Sequence, residues 1–117
     1  MRGAFLPSSP GRPGPVPHLA IPAEPAQLRV ELRELALEAP LVARDELVRV
    51  LATRLWRRWR AELAPRGMSP AWFRDEVGAY RRELWLWAIG ERRWDQSIGG
   101  LAGRVGRRAG ELREARR

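Results

Sequence analysis

The positions of its prolines constrain the fold of this chain more than any other feature of its sequence. Most of the ten prolines lie in residues 1–25, and the remaining three are Pro40, Pro65 and Pro70. Proline lacks an amide hydrogen and disfavours helical geometry in the residue before it, so it ends a helix or occupies its first turn. We therefore expect residues 1–25 to be a disordered proline-rich leader and residues 26–117 to form a helical domain.

Apolar residues beyond the leader recur three or four residues apart, which is the spacing of one face of an α-helix. The pattern predicts four helices, over residues 26–39, 42–64, 70–89 and 93–114. In the first of them Leu28, Val30 and Leu32 also alternate as in a strand, but its Glu, Leu and Ala residues favour helix. Ser69 followed by Pro70 is typical of a helix start. The predicted fold class is all-α, a small three- to four-helix bundle with a disordered Pro/Gly-rich N-terminal tail.

Six tryptophans are more than a bundle of this size can bury fully, because each has about 150–250 Å² of surface to cover. Three lie on the apolar seams of the predicted helices and are assigned to the core: Trp59, Trp87 and Trp94. The other three lie on the flanks of those seams: Trp56, Trp72 and Trp85. Arginines four residues away, Arg60 and Arg81, can cover two of these flanking rings by cation–π stacking. Alternatively, the flanking rings form an apolar patch for a partner, since Trp and Arg commonly anchor interfaces.

Four glycines of the last predicted helix share one side of it, a strip about 60° wide at 100° per residue. They are Gly99, Gly103, Gly106 and Gly110. Each costs about 1 kcal/mol relative to alanine inside a helix. Either the strip lets another backbone, of protein or nucleic acid, approach closely, or the glycines reflect GC-rich codons in a helix that frays.

All 22 basic residues are arginine, and the formal net charge is +8. The excess is local, since residues 99–117 hold six Arg and two acids whereas residues 64–98 are nearly balanced. Such a distribution favours a surface for acidic partners over uniform solvation. The candidate phosphate contacts are Arg49, Arg54, Arg57 and Arg60 on the second helix, with Arg104, Arg107 and Arg108 on the fourth. The alternative is a solubilising face enlarged by codon bias.

Residues 101–106, with the sequence LAGRVG, resemble the LAxxxG turn of helix-turn-helix DNA-binding domains. The similarity extends over residues 101–116 and implies a turn followed by a recognition helix. Gly99, Gly100 and Gly103 would weaken the first helix of such a motif. We therefore assign no base-contacting residues on the basis of this resemblance.

The residue types that carry most enzyme chemistry are scarce in this chain. It has no Cys and no Lys, and its single His18 lies among the prolines. Thr53 is the single threonine, Ser69 is assigned to a helix cap, and the glycines of residues 99–110 have neither the preceding strand nor the lysine of a phosphate-binding loop. We therefore expect no enzyme activity, no cofactor, no metal or catalytic residue and no small-molecule substrate. Without cysteines for disulfides the expected location is cytoplasmic.

A membrane partner is also not expected. The most apolar run, residues 84–90, is far shorter than the roughly 20 residues that a spanning helix needs. The arginine- and tryptophan-containing second helix would suit an anionic lipid surface, but we rank this below protein and nucleic-acid partners.

Together these features predict a small, basic, non-enzymatic helical interaction module. In the leading hypothesis it docks a protein partner, or a second copy of itself, through Trp-rich helix faces. The candidate partner surface consists of Trp56, Trp72, Trp85, Gly99, Gly103, Gly106 and Gly110. The alternative is a nucleic-acid-binding protein that uses the arginines of its second and fourth helices.

Overall fold

The computed structural model describes residues 16–115 of the chain, with side chains as far as residue 112. Within these residues there are five α-helices and no strand. The helices are α1 (Ala26–Glu38), α2 (Pro40–Leu63), α3 (Pro70–Ala79), α4 (Arg81–Ala88) and α5 (Trp94–Ala115), and a 3₁₀ turn (Ala64–Arg66) follows α2. The all-α prediction is confirmed, and the ambiguous first segment is a helix.

The helix boundaries follow the local chemistry that the sequence analysis used. Pro40 begins α2 directly after Ala39, whose extended backbone separates it from α1. The Ser69 hydroxyl accepts a hydrogen bond from the backbone N–H of Trp72 at 3.1 Å, and Pro70 occupies the first turn of α3. The Ser69 hydroxyl thus satisfies one amide that the first turn of α3 leaves free, and proline in a first turn has no amide hydrogen to leave unpaired.

The segment predicted as one helix over residues 70–89 is in fact two helices. Tyr80 separates α3 from α4, with φ −102° and ψ 8°, and its N–H donates to the Val77 carbonyl at 3.0 Å. Gly78 favours a break there, because glycine is about 1 kcal/mol less favourable than alanine in a helix. After this break, α4 buries Leu84, Trp87 and Ala88.

The core of the molecule is built around α2, which packs on α1, α3 and α4. One face of α2 is buried along its whole length, at Ala43, Leu47, Leu51, Ala52, Leu55, Trp59 and Leu63. Phe73 of α3 meets Trp59 edge-to-face, with ring centroids 5.8 Å apart. Helix α5 packs on α3 and α4 and adds Ile98, Leu101 and Val105 to the same core.

Residues 16–25, which we call the N-terminal strap, have no helix or strand but pack on the helices. Leu19 is 6% exposed and belongs to the core, and Pro17 is also buried. The predicted disorder of the leader is therefore wrong for this part, while residues 1–15 lie outside the described residues.

Three indole N–H groups hold the N-terminal strap in place. They come from three different helices and donate to consecutive parts of the strap: Trp59 to the Ala20 carbonyl at 2.8 Å, Trp94 to the Pro22 carbonyl at 2.7 Å, and Trp87 to Glu24 Oε2 at 2.7 Å. A buried indole N–H requires an acceptor. The strap supplies these acceptors because the Ala20 and Pro22 carbonyl groups lie outside any helix, and Glu24 contributes its carboxylate.

Helix α5 is continuous over Trp94–Ala115. The LAGRVG hexapeptide therefore lies in the middle of a helix and makes no turn. The resemblance to helix-turn-helix domains is wrong for this chain, because the expected break between two helices does not occur.

Candidate functional site

The six tryptophans divide between the core and its edge. Trp59, Trp87 and Trp94 are buried, which confirms their assignment to the core. The three flanking rings are half-buried and pack against the edge of the core: Trp56, Trp72 and Trp85. The cation over the Trp85 ring is Arg44 of α2, at 5.3 Å from the centroid, rather than Arg81.

The glycine strip of α5 is partly covered by the chain itself. A Cβ atom at Gly106 would lie 3.0 Å from Val16 Cγ1 and 3.3 Å from the Pro17 carbonyl oxygen. The close approach that the sequence suggested at this position is therefore made by the N-terminal strap. A Cβ at Gly99 would meet no atom within 4 Å.

Two of the predicted phosphate contacts on α5 are engaged inside the molecule. Arg104 Nε donates to Glu76 Oε1 at 3.2 Å, and Arg108 Nε donates to Glu76 Oε2 at 3.0 Å. Glu76 belongs to α3 and is buried. Charge-assisted hydrogen bonds to a shielded carboxylate are strong, so this cluster holds α5 against α3. Because Arg104 and Arg108 share the charge of Glu76, the surface of α5 is less positive than the sequence suggested.

Arg49 on α2 is also paired, but at the surface. It donates Nε to Glu46 Oε1 at 2.9 Å and Nη2 to Oε2 at 2.6 Å. These hydrogen bonds lower the pKa of the Glu46 carboxyl and raise the pKa of the Arg49 guanidinium from their ordinary values. Because water screens exposed pairs, the contact contributes little to stability and Arg49 can exchange it for another anion.

Arginines of α2 border three surface depressions that lie side by side. The first, about 500 Å³, lies between α2 and α3 and surrounds Trp56 with Arg49, Arg57, Arg60 and Arg74. The second, about 650 Å³, includes Leu41, Arg44, Asp45, Arg74 and Arg81 in its lining. The third, about 440 Å³, lies against Trp85 and is bordered by Arg44, Arg81 and Arg82.

Shared lining residues show that the three depressions adjoin one another, and we call the row of them the arginine furrow. Arg74 borders the first and second depressions, and Arg44 and Arg81 border the second and third. Seven arginines line the furrow, and among its described lining residues Asp45 is the acidic one. The furrow therefore combines a concentrated positive charge with two half-buried indole rings.

Sequence reasoning found part of this furrow. Arg49, Arg57 and Arg60 line it as a group on α2, whereas Arg54 is exposed but borders none of the three depressions. Sequence reasoning missed the other four arginines of the furrow, which lie on α2, α3 and α4: Arg44, Arg74, Arg81 and Arg82. Arg74 and Arg81 lie on different helices, α3 and α4, so helical periodicity alone did not bring them together.

No family model matches this chain, and no curated protein or solved structure is significantly similar to it. None of the helices within residues 16–115 has the combination of length and apolar character that crossing a bilayer requires.

Proposed function

We propose that this chain is a non-enzymatic module that binds nucleic acid through the phosphates of its backbone, in the arginine furrow. The observation that supports this best is the set of seven arginines that line three adjoining depressions, with Asp45 in the lining and Glu46 paired to Arg49 as the nearby carboxylates. Arg57 and Arg60 are exposed and make no ion pair within residues 16–115, so they are available for phosphate oxygens. Arginine suits this task because its planar guanidinium can donate two hydrogen bonds to one phosphate.

The structure also changes the relative weight of the two sequence-based hypotheses. Protein docking depended on free tryptophan flanks and an open glycine strip, and these are partly covered by Arg44 and by the N-terminal strap. Phosphate binding depended on two arginine stripes, of which the one on α2 remains accessible and is extended by Arg74, Arg81 and Arg82. We therefore place nucleic-acid binding first.

The test is the salt dependence of binding to a fluorescein-labelled oligonucleotide, measured by anisotropy. The triple variant Arg57→Gln, Arg60→Gln, Arg74→Gln removes three furrow cations. We expect the slope of log affinity against log salt to fall by about 2, because each single-strand phosphate contact contributes about 0.7. The electrostatic contribution to binding vanishes near 1 M salt, so the two proteins should bind equally there. At 0.1 M salt the triple variant should then bind about 100-fold more weakly than the unmodified chain.

The matched control removes the same charge elsewhere, with Arg33→Gln, Arg58→Gln and Arg107→Gln. All three residues are exposed and lie outside the furrow. The control variant should keep most of the slope and the affinity. An equal loss in both variants would show that net charge, and not the furrow, governs binding, and undetectable binding at low salt would refute the proposal.

A second candidate function is self-association, favoured by an apolar corner where α1 meets α2. Leu37 and Leu41 are 87% and 75% exposed, and Val42 lies beside them. Residues 26–45 hold three Arg and four acids, so the repulsion expected from a +8 chain is absent at this corner. A second copy that packs corner to corner would cover these side chains, in keeping with the prevalence of two-fold dimers.

Sedimentation equilibrium tests self-association with Leu37→Glu combined with Leu41→Glu. We expect a dimer for the unmodified chain and a monomer for this variant, because two buried charges oppose the contact. Ala26→Glu combined with Ala61→Glu adds the same charge at exposed positions elsewhere and should leave the dimer intact. A monomeric unmodified chain at high concentration would rule this candidate out.

A further inference from the structure

We infer that the nucleic acid bound by the arginine furrow is single-stranded, and that Trp56 and Trp85 are the platforms on which its bases stack. This inference rests on the proposed function and specifies its ligand. The two rings lie at opposite ends of the furrow, in its first and third depressions, with arginines around each.

The concave shape of the furrow favours a single strand over a duplex. Sequence reading of duplex DNA requires a protruding helix or ribbon that enters a major groove about 12 Å wide. The furrow arginines instead line depressions between helices, each of about 440–650 Å³. Pockets of about 300–1,000 Å³ accommodate small ligands, so each depression has room for a base with its sugar.

The platform ring of Trp56 is supported from within the molecule. Trp56 packs against the buried Phe73 with centroids 5.8 Å apart and an interplanar angle of 44°. It also lines the first depression, so it is both fixed to the core and accessible from the furrow. A rigid, partly exposed indole beside cations is the arrangement by which proteins bind single strands, because stacking accepts any base.

Trp85 has a cation in the place that a base would take. The Arg44 guanidinium lies over its ring, 5.3 Å from the centroid. A base that stacks on this face displaces Arg44, which is then free to pair with the adjoining phosphate. Trp72, also half-buried, does not line the furrow and therefore serves as an internal control.

The length of the furrow agrees with a short strand. Arg44 and Arg60 are sixteen residues apart on α2, about 24 Å at 1.5 Å per residue. Single-strand sites on small domains span about 4–16 nucleotides. A 15-nucleotide strand is therefore long enough to fill the furrow.

The experiment compares three labelled probes of this length: oligo(dT), an abasic strand with the same phosphates, and a duplex. We expect oligo(dT) to bind most tightly and to quench tryptophan fluorescence, which the abasic strand should not do. Trp56→Leu and Trp85→Leu should each weaken oligo(dT) binding by about 5- to 150-fold, the range measured for loss of one stacked base. Neither substitution should alter the salt slope or the affinity for the abasic strand, and Trp72→Leu should leave all affinities unchanged.

The outcomes separate the inference from the proposed function. If the abasic strand binds as tightly as oligo(dT) and the tryptophan variants behave normally, the furrow binds phosphates but the stacking inference is wrong. Tighter binding of the duplex, with no effect of either tryptophan, would also overturn it. If no probe binds, the proposed function itself fails. The quenching difference between oligo(dT) and the abasic strand uses the unmodified chain, so the inference stays testable even if a variant does not fold.

Discussion

A Trp87→Ala variant is expected to lose about 3–5 kcal/mol of unfolding free energy, the cost usual for truncating a buried large aromatic ring. The Trp87 side chain is 0% exposed and its ring packs against Trp94, with centroids 4.8 Å apart. Its indole N–H also donates to Glu24 of the N-terminal strap. Because small domains have only about 5–15 kcal/mol in total, urea unfolding followed by far-UV circular dichroism should show a large shift of the midpoint.

Trp85→Ala is the matched control for this substitution. Trp85 lies two residues earlier on the same helix α4, but it is half-buried and borders solvent in the arginine furrow. We expect a loss of about 1–2 kcal/mol, because less apolar area returns to water and no closed cavity forms. Equal losses of unfolding free energy in the two variants would mean that core and edge tryptophans contribute equally to stability, which would contradict this division.

That division could be predicted from the sequence because it depends on helical periodicity alone. Trp59 and Trp87 follow leucines at three- and four-residue intervals, so any packed helix turns them toward its neighbours. The helix start at Pro70 was also predicted, since proline fits the first turn of a helix, whereas α2 begins at Pro40 and not at the predicted residue 42. The break at Tyr80 was not, because the apolar spacing of the segment continues across it and Gly78 is only a weak local signal.

The arginine furrow could be predicted only in part, for a geometric reason. The projection of a single helix shows which of its own residues share a face, and so Arg49, Arg57 and Arg60 were found together. It cannot show that Arg74 and Arg81, on α3 and α4, lie beside them, because this depends on how the helices cross. Nor could it show that Arg104 and Arg108 converge on Glu76.

The N-terminal strap was missed because proline-rich composition excludes helix and sheet but does not exclude packing. A physical signal was nevertheless present in the sequence. Each core tryptophan carries an N–H that needs an acceptor, and neighbouring turns of a helix offer few, since their carbonyl groups are already bonded. Trp59 and Trp94 find these acceptors in carbonyl groups of the strap, and Trp87 finds its acceptor in the Glu24 carboxylate.

Replacing Leu19 with alanine tests whether the N-terminal strap is part of the folded unit. Leu19 is 6% exposed within the core, and truncation of a buried leucine costs about 2–5 kcal/mol. We expect about 2–4 kcal/mol, because Leu19 lies at the edge of the core, where the neighbouring side chains can partly fill the space. The same urea titration measures this loss.

The second readout for Leu19→Ala is local and distinguishes loss of docking from a general loss of stability. If Leu19 anchors the strap, the indole N–H groups of Trp59 and Trp94 should exchange with solvent faster in the variant, because their acceptors are the carbonyls of Ala20 and Pro22. Ile21→Ala, at a side chain 40% exposed in the same strap, should change neither stability nor exchange appreciably. Unchanged indole exchange in Leu19→Ala would mean that the three hydrogen bonds hold the strap without this anchor, since a docked strap continues to shield the N–H groups from water.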